Sequence, residues 1–141
     1  MYTHETQLML RDTDAAGVAY FGADYAIAHE VYERALSIKG VGLGIWLKSV
    51  HLPIVRSEAE YKAPIFLGDQ LTLRLGWVRI GQTSFTLKVH FGVHREGLLQ
   101  SAGWVQTVHV AVFEGATTAL PDALRVALRE IGAYDEGIDL T

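Results

Sequence analysis

Asp24-Tyr25-Ala26-Ile27-Ala28-His29-Glu30-Val31-Tyr32-Glu33-Arg34-Ala35-Leu36-Ser37-Ile38-Lys39 is the stretch that decides the fold. Tyr25, Ala28, Tyr32, Ala35 and Leu36 recur at spacings of three and four, the period that lines apolar side chains along one face of a helix. Ile27, Val31 and Ile38 widen that face, so this helix is expected to be buried on most sides. Asp24 is a candidate N-cap and Gly40 a C-terminal stop. A second, short helical piece is predicted over Leu43 to Lys48.

On the N-terminal side, Glu5 to Leu10 alternates loosely and reads as a short strand, while Arg11 to Gly17 reads as a loop. On the C-terminal side, Leu52 to Tyr61 reads as a strand closed by Lys62-Ala63-Pro64. Gly68-Asp69 then turns the chain into Leu71, Leu73 and Leu75, which alternate with Thr72 and Arg74. After Gly81-Gln82, residues Phe85, Leu87, Val89, Phe91 and Val93 alternate with Thr86, Lys88, His90 and His94, the clearest strand in the chain. Arg95-Glu96-Gly97 closes a hairpin, and Leu98 to Phe113 is predicted as one long strand. Pro121 and Asp122 open a terminal helix that reaches about Ile131. The order is strand, long helix, four antiparallel strands and a terminal helix, an α+β arrangement with the helix on one sheet face. Twist curls such a sheet around its helix, and Trp77 and Trp104 on the other face are expected to cover a subunit contact.

The bulk numbers narrow the function. With 141 residues the chain is expected to form a single domain, 1–141. A net charge of −4 argues against a broad grip on nucleic acid or an anionic membrane. The absence of cysteine excludes disulfides, thiol nucleophiles and Cys-ligated metals. No basic start precedes an apolar run, and no apolar stretch is long enough to span a bilayer, so the expected location is cytoplasmic.

The segment Asp12-Thr13-Asp14-Ala15-Ala16-Gly17-Val18-Ala19-Tyr20-Phe21, followed by His29-Glu30-Val31-Tyr32-Glu33, resembles the 4-hydroxybenzoyl-CoA thioesterase family of hotdog proteins. Tyr61-Lys62-Ala63-Pro64 with Gly68-Asp69 also matches that family's pattern, although this second block is common to many hotdog proteins. The helix start and Leu52-Pro53-Ile54-Val55 are most similar to the 1,4-dihydroxy-2-naphthoyl-CoA thioesterase branch of quinone biosynthesis. The resemblance implies a hotdog fold, an antiparallel sheet wrapped around a long central helix. It also implies homodimers that pair sheets edge to edge, often tetramers, and an acyl-CoA substrate between two protomers. The activity implied is hydrolysis to free acid and CoA with no metal or organic cofactor.

Thioester hydrolysis needs a nucleophile or an activated water, and stabilisation of the oxyanion that forms. A carboxylate supplies the first, and unpaired N–H groups at a helix start supply the second. Asp14 lies about ten residues ahead of the helix body, and Gly17 lets the chain turn back. The amides of Phe21 and Gly22, just before the helix, are the natural oxyanion donors, and Gly22 has no Cβ to hold a ligand away. On spacing alone, a solvated turn outweighs catalysis for Asp14. The resemblance reverses this, because it aligns Asp14 with the family's catalytic aspartate and the Phe21 amide with its oxyanion donor.

The remaining polar residues carry weaker signals. Asp12 is the rival carboxylate, better read as bonding the loop backbone; Glu30, beside the apolar face, is a backup base, and Glu33 reads as solvated. His90 and His94 share one side of a strand without a third ligand, and His29 reads as an interior histidine. Gly-x-Ser-x-Gly is absent, so no serine hydrolase triad is argued. Arg56, Lys62, Arg79, Lys88 and Arg95 are available for CoA phosphates but read first as surface charges, and the turn Gly81-Gln82-Thr83 is uncharged. Gly17, Tyr20, Phe21, Tyr25 and Trp46 are candidates to line a substrate pocket. Two other readings stay open, a thioesterase acting on acyl carrier protein and a catalytically silent acyl-binding module.

Overall fold

A computed structural model describes residues 2–40 and 50–132, apart from the side chain of Trp77. The predicted helix over Leu43 to Lys48, the pocket role of Trp46 and the outward placement of the Trp77 side chain lie outside the described residues. Strand β1 (Thr3–Gln7) leads through a short 3-10 turn at Leu10–Asp12 to helix α1 (Phe21–Ile38). Strands β2 (Ile54–Tyr61), β3 (Gln70–Ile80), β4 (Ser84–Arg95) and β5 (Leu98–Val110) follow. A small hairpin, β6 (Val112–Phe113) and β7 (Ala116–Thr117), precedes helix α2 (Asp122–Ile131).

The main sheet has five strands in the order β1-β3-β4-β5-β2, every pairing antiparallel. Its register follows the alternation in the sequence. Phe85, Leu87, Val89, Phe91 and Val93 of β4 are all buried and face the helix, while the residues between them are partly exposed. Bulges interrupt β2 on β5, β3 on β4 and β4 on β5. A bulge sharpens local twist, and here the sheet curls over α1.

Three expectations change. α1 is buried along one stripe (Ala23, Asp24, Ile27, Ala28, Val31, Tyr32, Ala35, Leu36) rather than on most sides. Ile38 is 68% exposed, because the sheet covers only one flank and Glu33 and Arg34 occupy the other. The final strand is shorter than Leu98 to Phe113. It leaves the sheet after Val110, where Val112 exchanges both backbone hydrogen bonds with His51 and Glu114-Gly115 turn the small hairpin at positive φ. The strand expected to run from Glu5 to Leu10 stops at Gln7, and the chain bends where Gly68 N–H donates to Leu8 O.

α2 begins at the predicted place and buries Leu124, Ala127, Leu128 and Ile131 in the same core. Among the described residues, no helix is long and apolar enough to cross a membrane.

Candidate active site

Residues 13–19 form a tight loop that folds back onto the start of α1. Thr13 bridges Ala19, and the Asp14 N–H donates to Val18 O over 2.9 Å. Gly17 turns at φ 75°, which a residue with a Cβ adopts only at a cost. The loop rests on residues 65–67. Ala19 N–H donates to Ile65 O over 2.8 Å, and Leu67 N–H donates to Gly17 O over 2.9 Å.

Asp14 therefore has a structural task as well as a chemical opportunity. Its Oδ1 accepts the N–H groups of Ala16 (2.8 Å) and Val18 (3.3 Å). Those bonds fix the carboxylate in one orientation at an exposed position and leave Oδ2 outside them. Asp12 takes the structural role expected of it: Oδ2 accepts the Met9 N–H over 3.2 Å.

The helix starts earlier than the capping pattern implies. Phe21 and Gly22 are its first two residues rather than the two before it, and the N-cap is Tyr20, with no side-chain cap bond. The cause lies in the loop: Tyr20 N–H donates to Asp12 O over 3.3 Å, which holds Tyr20 extended at φ −80° and ψ 158°. The N–H groups of Phe21 and Gly22 precede any intrahelical partner, and the helix dipole concentrates positive potential there. The bond from Tyr20 N–H to Asp12 O thus ties the backbone of Asp12 to the helix start. A Cβ on Gly22 would lie 2.9 Å from the Tyr20 ring, so the bare glycine also lets that ring lie across the helix start.

Asp24 is consequently not the N-cap. It sits in the first turn, 7% exposed, with Oδ1 buried and unpartnered, and burial pushes its carboxyl up to about 6. It lines an open cleft of about 400 Å³ with Phe21, Tyr61, Lys62, Pro64 and Ile65. Across this cleft the Tyr61 hydroxyl donates to Phe21 O over 3.1 Å. Burial, followed by the charges of Asp24 and Tyr25, raises the Tyr61 phenol above its ordinary range.

The structure separates Glu30 from this group. It lies nine residues beyond Phe21, about 13 Å along the axis, is 45% exposed and pairs with Arg34 at 3.1 Å. His29 is half-exposed beside Glu33 (3.1 Å) rather than interior. His94 contacts Thr72 (2.7 Å) on the polar sheet face. Tyr25 walls a partly open cavity farther along α1, and Tyr20 and Phe21 are exposed at 44% and 73%.

The cations also sort themselves. Arg56 pairs with Glu58 (3.0 Å), and Lys88 lies over the Trp104 ring, whose Nε1–H donates to Glu60. Lys62 borders the cleft. Arg95 is more than a surface charge. It donates to Pro64 O and to Asp69 Oδ2 (2.7 Å), while that same Oδ2 accepts the Phe66 N–H. This clamp holds residues 64–69, the platform under the Asp14 loop. Its partners are 31 and 26 residues away in sequence, so no local pattern reveals it.

A curled antiparallel sheet over one long helix, with a carboxylate loop at that helix's N-terminus, defines the hotdog thioesterases as a class. Residues 8–128 match the family model described as the Thioesterase-like superfamily, and the chain belongs to that family. It is similar to the 1,4-dihydroxy-2-naphthoyl-CoA hydrolase of Crocosphaera subtropica, with 35% identity over 61% of this chain and 64% of the other. The corresponding hydrolase of Synechococcus elongatus is 32% identical over 79% of this chain and 81% of its own. Among solved structures, a 1,4-dihydroxy-2-naphthoyl-CoA thioesterase from Synechocystis superposes with a TM-score of 0.79 at 29% identity, covering 92% of this chain and 96% of that one. The family resemblance read from Asp12 to Phe21 is borne out.

Proposed function

We propose that this thioesterase acts on an aromatic acyl-CoA, with 1,4-dihydroxy-2-naphthoyl-CoA the first substrate to test and 4-hydroxybenzoyl-CoA the second. One observation carries the mechanism: the loop that fixes the Asp14 carboxylate is bonded back onto the helix whose first amides, Phe21 and Gly22, lack intrahelical partners. A thioester carbonyl oxygen received by those two N–H groups is stabilised as it becomes an oxyanion. Asp14 then takes a proton from an attacking water, or attacks the carbonyl carbon itself and is released by water in a second step. In both routes the C–S bond breaks and CoA leaves as thiolate and takes a proton from solvent; the new oxygen of the free acid comes from water in the first route and from Asp14 in the second, where water attacks the Asp14 carbonyl of the mixed anhydride and restores its carboxylate.

The substrate class is supported by the names of the relatives and by the aromatic Tyr20, Phe21 and Tyr25 along the helix start. Strand β2 is an edge with Ile54 and Val55 exposed, which favours pairing with a second copy as part of this reading. A cytoplasmic location and a single domain over 1–141 belong to the same reading.

The test is a panel of aryl-CoA, fatty acyl-CoA and acyl carrier protein thioesters followed by release of free thiol. Hydrolysis fastest on aryl-CoA supports the reading. Preference for carrier protein, or tight binding without turnover, sinks it. A single turnover in ¹⁸O water separates the routes, since only attack by Asp14 leaves label in its side chain.

A further inference from the structure

Between α1 and the sheet lies a cavity of about 260 Å³, walled by Tyr25, Ala28 and Tyr32 on the helix and by Val89, Thr107 and His109 on the sheet. This is close to the lower end of small-molecule sites, which span roughly 300–1,000 Å³, and admits one or two fused rings more readily than a long chain. Tyr25 and Tyr32 are seven residues apart, so the cavity follows the helix for about 10 Å. An acyl group whose carbonyl sits at the Phe21 N–H has its nearest wall, Tyr25, about one helical turn away.

Polar groups gather around Tyr32. His109 is 1% exposed and stacks on Phe85, with ring centroids 4.7 Å apart; Tyr32 tilts against it at 5.0 Å. Its Nε2 lies 2.9 Å from Thr107 Oγ1 and its Nδ1 3.5 Å from Leu52 O. A carbonyl can only accept, so the network assigns the proton to Nδ1 and makes Nε2 the acceptor for the Thr107 hydroxyl. Burial holds His109 down to about 4, which leaves the ring neutral near pH 7. The Thr107 oxygen keeps lone pairs to accept another bond. The Tyr32 hydroxyl is buried without a partner, a condition that buried polar groups rarely keep unless something outside the chain supplies one.

We propose that Tyr32 and Thr107 determine specificity by reading a hydroxyl on the ring of the acyl group. Tyr32 O–H donates to it, Thr107 Oγ1 accepts from it, and neutral His109 fixes the Thr107 hydroxyl. A ring hydroxyl is both donor and acceptor and matches this pair. A carboxylate or ammonium does not, since Tyr32, Thr107 and neutral His109 offer no opposite charge against which to desolvate it, and His29, the other titratable group of the lining, is paired with Glu33 at 3.1 Å. The assignment rests on the aromatic acyl-CoA reading above.

The experiment uses two acids that differ by one hydroxyl, 6-hydroxy-2-naphthoate and 2-naphthoate. Their binding is measured by calorimetry and hydrolysis of their CoA thioesters by thiol release. The wild type should favour the hydroxylated member about 10-fold or more in both assays, since a site built to bond a hydroxyl discriminates against its absence. Tyr32→Phe and Thr107→Val should each bring that ratio to within about 2-fold. Hydroxyl preference in binding without turnover leaves this assignment standing and sinks the hydrolysis reading. Turnover without hydroxyl preference does the reverse. Variants that weaken both acids equally, or a wild type that binds neither, overturn the assignment.

Discussion

The Asp14 loop ahead of α1 and the buried middle of that helix handle polar groups in opposite ways. In the loop, Asp14 is exposed and its Oδ1 is held by the amides of Ala16 and Val18, two and four residues away. Around Tyr32, three turns into the helix, His109 is bonded through Leu52 O, 57 residues distant, and Tyr32 has no partner. The first region keeps a charged, solvated group steady by local backbone bonds. The second keeps neutral groups dry by tertiary packing. Reaction suits the first, because a carboxylate must stay ionised; discrimination suits the second, because hydrogen bonds count for more out of water.

The sharpest way to break this comparison is Asp14→Asn. Asn Oδ1 can still accept the two loop amides, so kcat should fall about 10²- to 10⁴-fold while the melting temperature stays within a few degrees. Equal loss of stability and activity would make Asp14 a loop fastener only. Leu36→Ala gives the converse. This fully buried residue belongs to the core, and its truncation should cost about 2–5 kcal/mol in a denaturant titration with kcat per folded molecule little changed.

The two buried titratable groups oppose each other. Asp24 is raised from 3.8 to about 6, so its contribution is present below pH 4 and is lost as pH rises through 6. His109 is lowered from 6.5 to about 4, so its contribution is present above pH 6.5 and is lost as pH falls through 4. Each shift corresponds to about 3 kcal/mol, and over that window they largely cancel. Asp24→Asn removes one side, and its stability should then rise by about 3 kcal/mol from pH 4 to pH 7. Urea titrations at both pH values check this, and parallel wild-type and variant curves would show that Asp24 is not the opposing group. The smallest effect is expected from Arg95→Met, which releases the platform under the loop. It should cost about 1–2 kcal/mol and lower kcat/KM about 10-fold, measured by denaturation and thiol release.

What could be read from the residues was what repeats locally. The period of α1 and the alternation of β4 each come from side chains within one element, and both elements formed as expected. The helix start was misplaced at Asp24 because its boundary is set by a bond from Tyr20 to Asp12, and a capping residue type carries no information about that bond. Val110 ends β5 for a similar reason: the next residues pair with His51 and with Thr83. For the proposed site, the Phe21 and Gly22 amides follow from their place at a helix start, whereas the choice of Asp14 came only from the family pattern. Arg95 and the Thr107–His109 pair were not legible, because their roles depend on strands that meet after folding.

The strand order β1-β3-β4-β5-β2 has a further consequence for synthesis. The two edge strands flank α1 in the chain, yet Thr3 pairs with Arg74 and Ile54 with His109. A growing chain therefore makes its helix, its Asp14 loop and both edges before any partner for them exists, whereas β3, β4 and β5 join by short turns as they emerge. Such non-local pairings slow folding. Protease digestion of ribosome-stalled chains should find α1 cleavable until β5 is outside the tunnel; protection before that point would mean that α1 docks without its sheet. The segment proposed to carry the chemistry is made before the sheet that houses it.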